Sequence, residues 1–137
     1  MTQRRRLTVA VAVLGLTLTG AAAPASAATV TPNASQSGCT FDSATTLKKA
    51  TLTHGNEVRL IELRYSNTSA CAWARETSGQ VGDHMWVWNE NTNALRDADI
   101  TSGHDNHTDA IHDNGTKSHA CMTPVYDHSI KVCTDFN

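Results

Sequence analysis

Beyond residue 28 no segment keeps a 3.6-residue apolar period over three turns. Short β-prone runs punctuated by Gly, Asn and Asp take its place. Residues 45–53 form a Thr-rich run. Residues 57–65 put Ile61, Leu63 and Tyr65 on one face, with Arg59, Glu62 and Arg64 supplying polar contacts. Residues 71–76 place Cys71, Trp73 and Arg75 on one side and Ala72 and Ala74 on the other, a small side that admits a second sheet closely. Residues 84–90 alternate His84, Trp86 and Trp88 against Met85 and Val87. Residues 95–101 make a weaker strand, with a helix over 94–100 as the alternative; 118–123 and 130–134 complete the set. Asn114-Gly115, between polar β formers, predicts a two-residue hairpin turn, because both central positions need positive φ. Residues 54–56, 78–80 and 82–83 mark other turns.

About seven or eight short strands predict an all-β fold, a small antiparallel β-sandwich or barrel. Its core draws on the three Trp with Leu47, Leu52, Val58, Leu60, Ile61, Leu63, Tyr65, Met85, Val87, Ile111, Met122, Val125, Val132 and Phe136. That core is thin, and a domain of this size buries only about two-thirds of its unfolded surface.

The N-terminus has a different pattern. Arg4, Arg5 and Arg6 precede an apolar run over 7–20, and small residues with Ala25-x-Ala27 follow. This is the form of an export signal, with cleavage expected after Ala27. The apolar run is shorter than the roughly 20 residues a spanning helix needs. The whole chain has 137 residues, 11 Lys+Arg and 13 Asp+Glu. Losing residues 1–27 removes three of the basic residues and none of the acidic ones, leaving 8 against 13 and a charge of -5. Such an acidic domain has no basic footprint for nucleic acid and no reason to approach anionic lipid. The expected organisation is a signal peptide over 1–27, a flexible tail over 28–37 and one β domain over 38–137, secreted and free of stable membrane insertion.

Cys39, Cys71, Cys121 and Cys133 all follow the signal. An even count in a small exported domain reads as two disulfides. Four cysteines allow three pairings, and sequence alone does not choose. Cys39–Cys71 with Cys121–Cys133 is favoured because each bridge ties segments close in sequence, the second stapling a terminal hairpin. Zinc-finger spacing is absent.

Candidate chemistry is sparse. Residues 103–113 hold His104, His107 and His112 among three aspartates, which could bind a borderline metal; a solvated acidic loop is the simpler reading. H-E-x-x-H, G-x-S-x-G and the EF-hand pattern are absent. Trp86 and Trp88 share a face and suit sugar or protein recognition if exposed, although the core needs them too. Thr29, Val30 and Thr31 form a β-prone tail segment able to add to a partner's sheet edge. Arg64 and Arg75, among Glu62 and Glu76, are expected in cross-strand ion pairs. No catalytic grouping and no cofactor are expected.

Glu62-Leu63-Arg64-Tyr65-Ser66, then Cys71-Ala72-Trp73-Ala74-Arg75, Val81-Gly82-Asp83, His119-Ala120-Cys121 and Val132-Cys133-Thr134 together resemble the YjfA-like family of small secreted actinomycete proteins, a domain of unknown function. The resemblance spans 38–136. It implies export, a disulfide-bonded β fold and no established enzyme activity. Members carry a further cysteine pair and an Asp-Pro before Gly38-Cys39, an aromatic at His107 and a Met at Ala110, all of which this chain lacks. The expected function is a secreted, non-enzymatic binding domain, in its most concrete form an adaptor or subunit of an extracellular toxin-type assembly. Its partner is then another secreted or surface protein. The alternatives are an inhibitor of a protease or wall hydrolase that presents residues 89–93, and a small metal-assisted hydrolase using the His/Asp segment.

Overall fold

The Thr-rich run and the run after it form the two longest strands, β1 (Ala44–His54) and β2 (Glu57–Ser66). Gly55, at φ 59°, takes the first of two central turn positions between the paired residues His54 and Glu57, which suits a primed hairpin turn. The computed structural model describes residues 35–115 and 117–137. The signal segment and Thr29, Val30 and Thr31 lie outside the described residues.

β3 (Cys71–Thr77) continues the first sheet, and the two-residue strands β6 (Asn106–His107) and β7 (Ile111–His112) both pair with it. β4 (His84–Asn89), β5 (Leu95–Asp99), β8 (Ser118–Thr123) and β9 (Val132–Cys133) form the second sheet in the order β5-β4-β8-β9. All pairings are antiparallel. The two sheets face each other as a sandwich and do not close into a barrel. Both expected disulfides are present, Cys39–Cys71 and Cys121–Cys133, the second inside the β8–β9 ladder.

Between the sheets lie Ile61 and Leu63 of β2, Ala72 and Ala74 of β3, Met85 and Val87 of β4, and Ala120 and Met122 of β8. Ile100 and Ile111 close the ends. Burying one such large side chain contributes about 1.5–3 kcal/mol. The alanines of β3 let the sheets approach, as their alternation with Cys71 and Trp73 predicts.

Several expectations are corrected. Residues 94–100 are not helical; 95–99 pair with β4, where the sheet supplies hydrogen-bond partners that an isolated short helix would lack. Asn114 (φ 39°) and Gly115 (φ 71°) do adopt the turn conformation. They join no hairpin, however: β7 belongs to the first sheet and β8 to the second, so the turn carries the chain across the sandwich. Leu47 is exposed because the register shifts between Thr46 and Lys48, and the bulge takes it out of alternation. Val58, Val125 and Phe136 are also exposed, and Trp86 and Trp88 lie on an outer face, so none of these forms the central core. Ser35 and Gln36, assigned by sequence to the tail, bond to the domain: Gln36 N donates to Ala110 O at 2.9 Å, and Ala110 N donates to Ser35 Oγ at 3.1 Å.

Two buried polar clusters sit where the chain changes sheets. At the β7–β8 crossing, Asn89 Nδ2 and Ser118 Oγ donate to Asp113 Oδ1, and Asn137 Nδ2 donates to Asp113 Oδ2. At the β3–β4 crossing, fully buried Arg59 pairs with Asp83 at 3.1 Å, and Val125 N and Gln80 N donate to the same carboxylate. Glu76 lies here too, fully buried, and as a carboxylate neither of its oxygens meets a donor. Burial above all pushes its carboxyl up to about 8; protonated, it can share its proton with Asp83, while Arg59 pulls the other way. The neighbouring glycine is dictated by this packing, since a Cβ on Gly79 would stand 2.4 Å from Ile100 Cδ1 and 2.6 Å from Glu76 Oε1. The expected ion pairs are therefore revised: Arg64 and Arg75 both meet Glu62, at 3.7 and 3.8 Å, and Glu76 points inward instead.

Candidate functional site

Alternation along β4 turns Met85, Val87 and Asn89 into the sandwich and leaves His84, Trp86 and Trp88 on the outer face, each half-buried. Residues directly opposite in adjacent strands project to the same side. Three rows therefore cross this face: Thr123–His84–Asp99, Cys121–Trp86–Asp97 and His119–Trp88–Leu95. The first ends in hydroxyl and carboxylate, the second sets an indole beside the Cys121–Cys133 disulfide, and the third is aromatic and aliphatic.

His84 organises the first row. Its Nδ1 donates to Asp99 Oδ1 at 2.6 Å, and its Nε2 lies 3.8 Å from Asp97 Oδ2. The Trp86 ring is 5.7 Å from the imidazole. At the far end Trp88 Nε1 donates to Asn93 Oδ1 at 3.0 Å. His119 stands between Trp88 and Phe136, with centroids at 5.2 and 4.7 Å. Burial, then Lys131, lowers the pKa of His119, favouring a neutral ring that continues the aromatic stripe.

A surface groove runs along both flanks of His84. One lobe, ≈ 560 Å³, has Val81, Ile100 and Gly82 as apolar wall and Asp99, Thr123 and His128 among its polar groups. The other, ≈ 260 Å³, is lined by His84, Trp86, Leu95 and Asp97. Among the described residues no Lys or Arg lines either lobe. The arrangement offers an aromatic surface, aliphatic walls and acceptors, the mixture that small-molecule and polymer sites use.

The three imidazoles considered for metal have separate partners. His104 Nδ1 donates to Gly79 O at 2.9 Å, and His107 Nδ1 donates to Thr108 O at 2.9 Å beside the Phe41 ring. His112 Nε2 donates to Ser37 O at 2.9 Å, and its Nδ1 faces the sulfurs of Cys39 and Cys71 at 3.8 and 3.5 Å. Two groups among the described residues place a histidine near paired sulfurs, His112 with Cys39 and Cys71 and His119 with Cys121 and Cys133. In both the sulfurs are joined to each other, which leaves no thiolate to bind a metal. Trp73, by contrast with Trp86, is buried at 4% exposure under Phe41.

Sequence alternation located Trp86, Trp88 and His84 on one face. It missed Asp97, Asp99 and Thr123, which join them only through the pairing of β5 and β8 with β4; the polar half of the weak 95–101 strand was the available signal.

Residues 25–129 match the family described as "Protein of unknown function (DUF2690)". The chain belongs to that family. Comparison with curated proteins and with solved structures finds no match. The DUF2690 match takes in β1 through β8 and both lobes of the groove.

Proposed function

We propose that this DUF2690 domain is an extracellular, non-enzymatic binding module, and that the outer face of the second sheet is its recognition surface. The observation that carries the reading is an aromatic face left open by the described residues: two tryptophans half-exposed on an interior strand, flanked by Leu95 at 47% exposure. Trp is a large amphipathic contact that loses little conformational entropy on binding, hence its enrichment at recognition surfaces. Two disulfides are compatible with an oxidising compartment outside the cytoplasm. Among the described residues no helix is long and apolar enough to cross a membrane.

The test is retention. Tagged full-length chain is incubated with culture-supernatant proteins and with insoluble wall material, beside a Trp86→Ala/Trp88→Ala variant and a Lys48→Ala/Lys49→Ala control on the opposite sheet. Specific retention lost in the first variant and kept in the second is expected. Equal retention by all three, or none by the wild type, overturns the reading.

A second reading, inhibition of a secreted hydrolase, draws on the loop between β4 and β5. Asn89 Oδ1 accepts from Asn91 N, Thr92 N and Thr92 Oγ1, which holds an exposed loop in one shape, as inhibitor loops require. Replacing Asn89 by Ala and titrating protease and wall-hydrolase activity tests it; unchanged activities with the wild-type chain exclude it.

A further inference from the structure

Building on the proposed recognition surface, we infer that the groove on either side of His84 binds an uncharged hexopyranose chain. Three features of the lining lead there. The first is the half-exposed Trp86 indole, flanked by His84 at 5.7 Å, with Leu95 and Asp97 lining the same lobe. A pyranose ring has an apolar C–H face that lies on such a surface, and an edge of hydroxyls that must be hydrogen-bonded once water leaves.

The second is the placement of acceptors along that edge. Asp97 and Asp99 follow each other on the outer side of β5, and the carboxylate of Asp99 fixes the His84 ring at 2.6 Å. A carboxylate has about four lone-pair sites, so Asp99 can hold His84 and still accept from a sugar hydroxyl. Thr123, in register with His84, and Thr101 bring hydroxyls that both donate and accept. The row Thr123–His84–Asp99 thus alternates partners suited to a polyol.

The third is charge. With carboxylates on the lining and no Lys or Arg among the described residues there, the groove repels phosphorylated, sulfated or uronic-acid ligands. A purely apolar partner segment fits poorly as well, because polar groups interrupt the aliphatic wall at Asp97, Asp99 and His128. The two lobes meet at His84, so the site follows the sheet surface and accommodates a chain rather than a single enclosed ring.

The experiment is a titration of the full chain, followed by tryptophan fluorescence and calorimetry, with cellohexaose, N-acetylglucosamine hexamer, oligogalacturonate and hexalysine. Binding of at least one neutral hexasaccharide is expected, with none for oligogalacturonate. Trp86→Ala weakens it about tenfold or more, Trp86→Phe restores most of it, and Asp99→Asn weakens it severalfold. A Lys48→Ala control binds as wild type. Absence of binding to either neutral hexasaccharide overturns the inference, as does binding that Trp86→Ala leaves unchanged. Binding of hexalysine without sugar also overturns it and points to a cationic polypeptide, in which case the recognition face itself stands. Failure of the retention test above removes that face altogether.

Discussion

Each sheet has an interior strand that turns tryptophan outward, β3 with Trp73 and β4 with Trp86 and Trp88, and the two faces end in opposite conditions. Over β3 the chain folds back. Cys39, Phe41 and Ala44 on one side and Ala110 on the other close on Trp73, and the Cys39–Cys71 bridge fastens the cover. Among the described residues no such segment lies over β4; the other bridge, Cys121–Cys133, joins neighbours within one ladder. Identical alternation therefore yields a satellite core in one sheet and a half-exposed aromatic surface in the other. The Cys39–Cys71 bridge, the Phe41 ring and the hydrogen bonds of Thr40 and Asp42 to Ser69 and Ser66 hold the cover over β3.

The largest way to break this comparison is Trp73→Ala. Emptying a covered site of that volume costs about 3–5 kcal/mol, visible as a large drop in urea midpoint. Trp86→Ala on the open face should cost about 1 kcal/mol or less. Comparable losses for both would show that the open face is core after all. Next is the cover itself. Cys39→Ala/Cys71→Ala should cost about 2–4 kcal/mol and shift Trp73 emission to the red; an unshifted spectrum would mean that Phe41 holds the cover unaided.

An interior substitution sharpens the contrast by leaving both faces alone. Below pH 4.5 Glu76 is protonated in the folded and unfolded chains alike. Between there and about 8 the unfolded chain ionises while the folded one keeps its proton, so this group lowers stability as pH rises, by at most about 1.4 kcal/mol per pH unit, and the loss levels off above 8. Glu76→Gln should flatten that slope and gain most over wild type at alkaline pH. Parallel stability curves for the two proteins would refute the assignment. The smallest effect is spectroscopic: acrylamide, a neutral quencher, should quench Trp86 and Trp88 but spare Trp73, read from single-tryptophan variants.

How far the sequence was legible follows from the range of each interaction. The period-two patterns of 57–65, 71–76 and 84–90 recur as β2, β3 and β4 nearly to the residue, since side chains alternate within a strand whatever its neighbour. Asn114-Gly115 has the backbone it predicts, because φ preference is local, but the partner it turns toward is not. Glu76 shows the same limit: sequence placed it beside Arg75 as an ion-pair candidate, and the β3–β4 crossing buried it instead.

By itself the amino-acid sequence determined the strands β2, β3 and β4, the alternation of their two sides, the local turn at Asn114-Gly115, and that Ala72 and Ala74 present a small face. Tertiary structure alone decided that Trp73 is covered while Trp86 and Trp88 are not, and that Asp99, His84 and Thr123 form one row. Strand alternation is set by neighbours one or two residues away. Burial of an outward face depends on what arrives from 30 to 40 residues off, and the cross-strand row depends on register with β5 across a hairpin and with β8 much further along the chain.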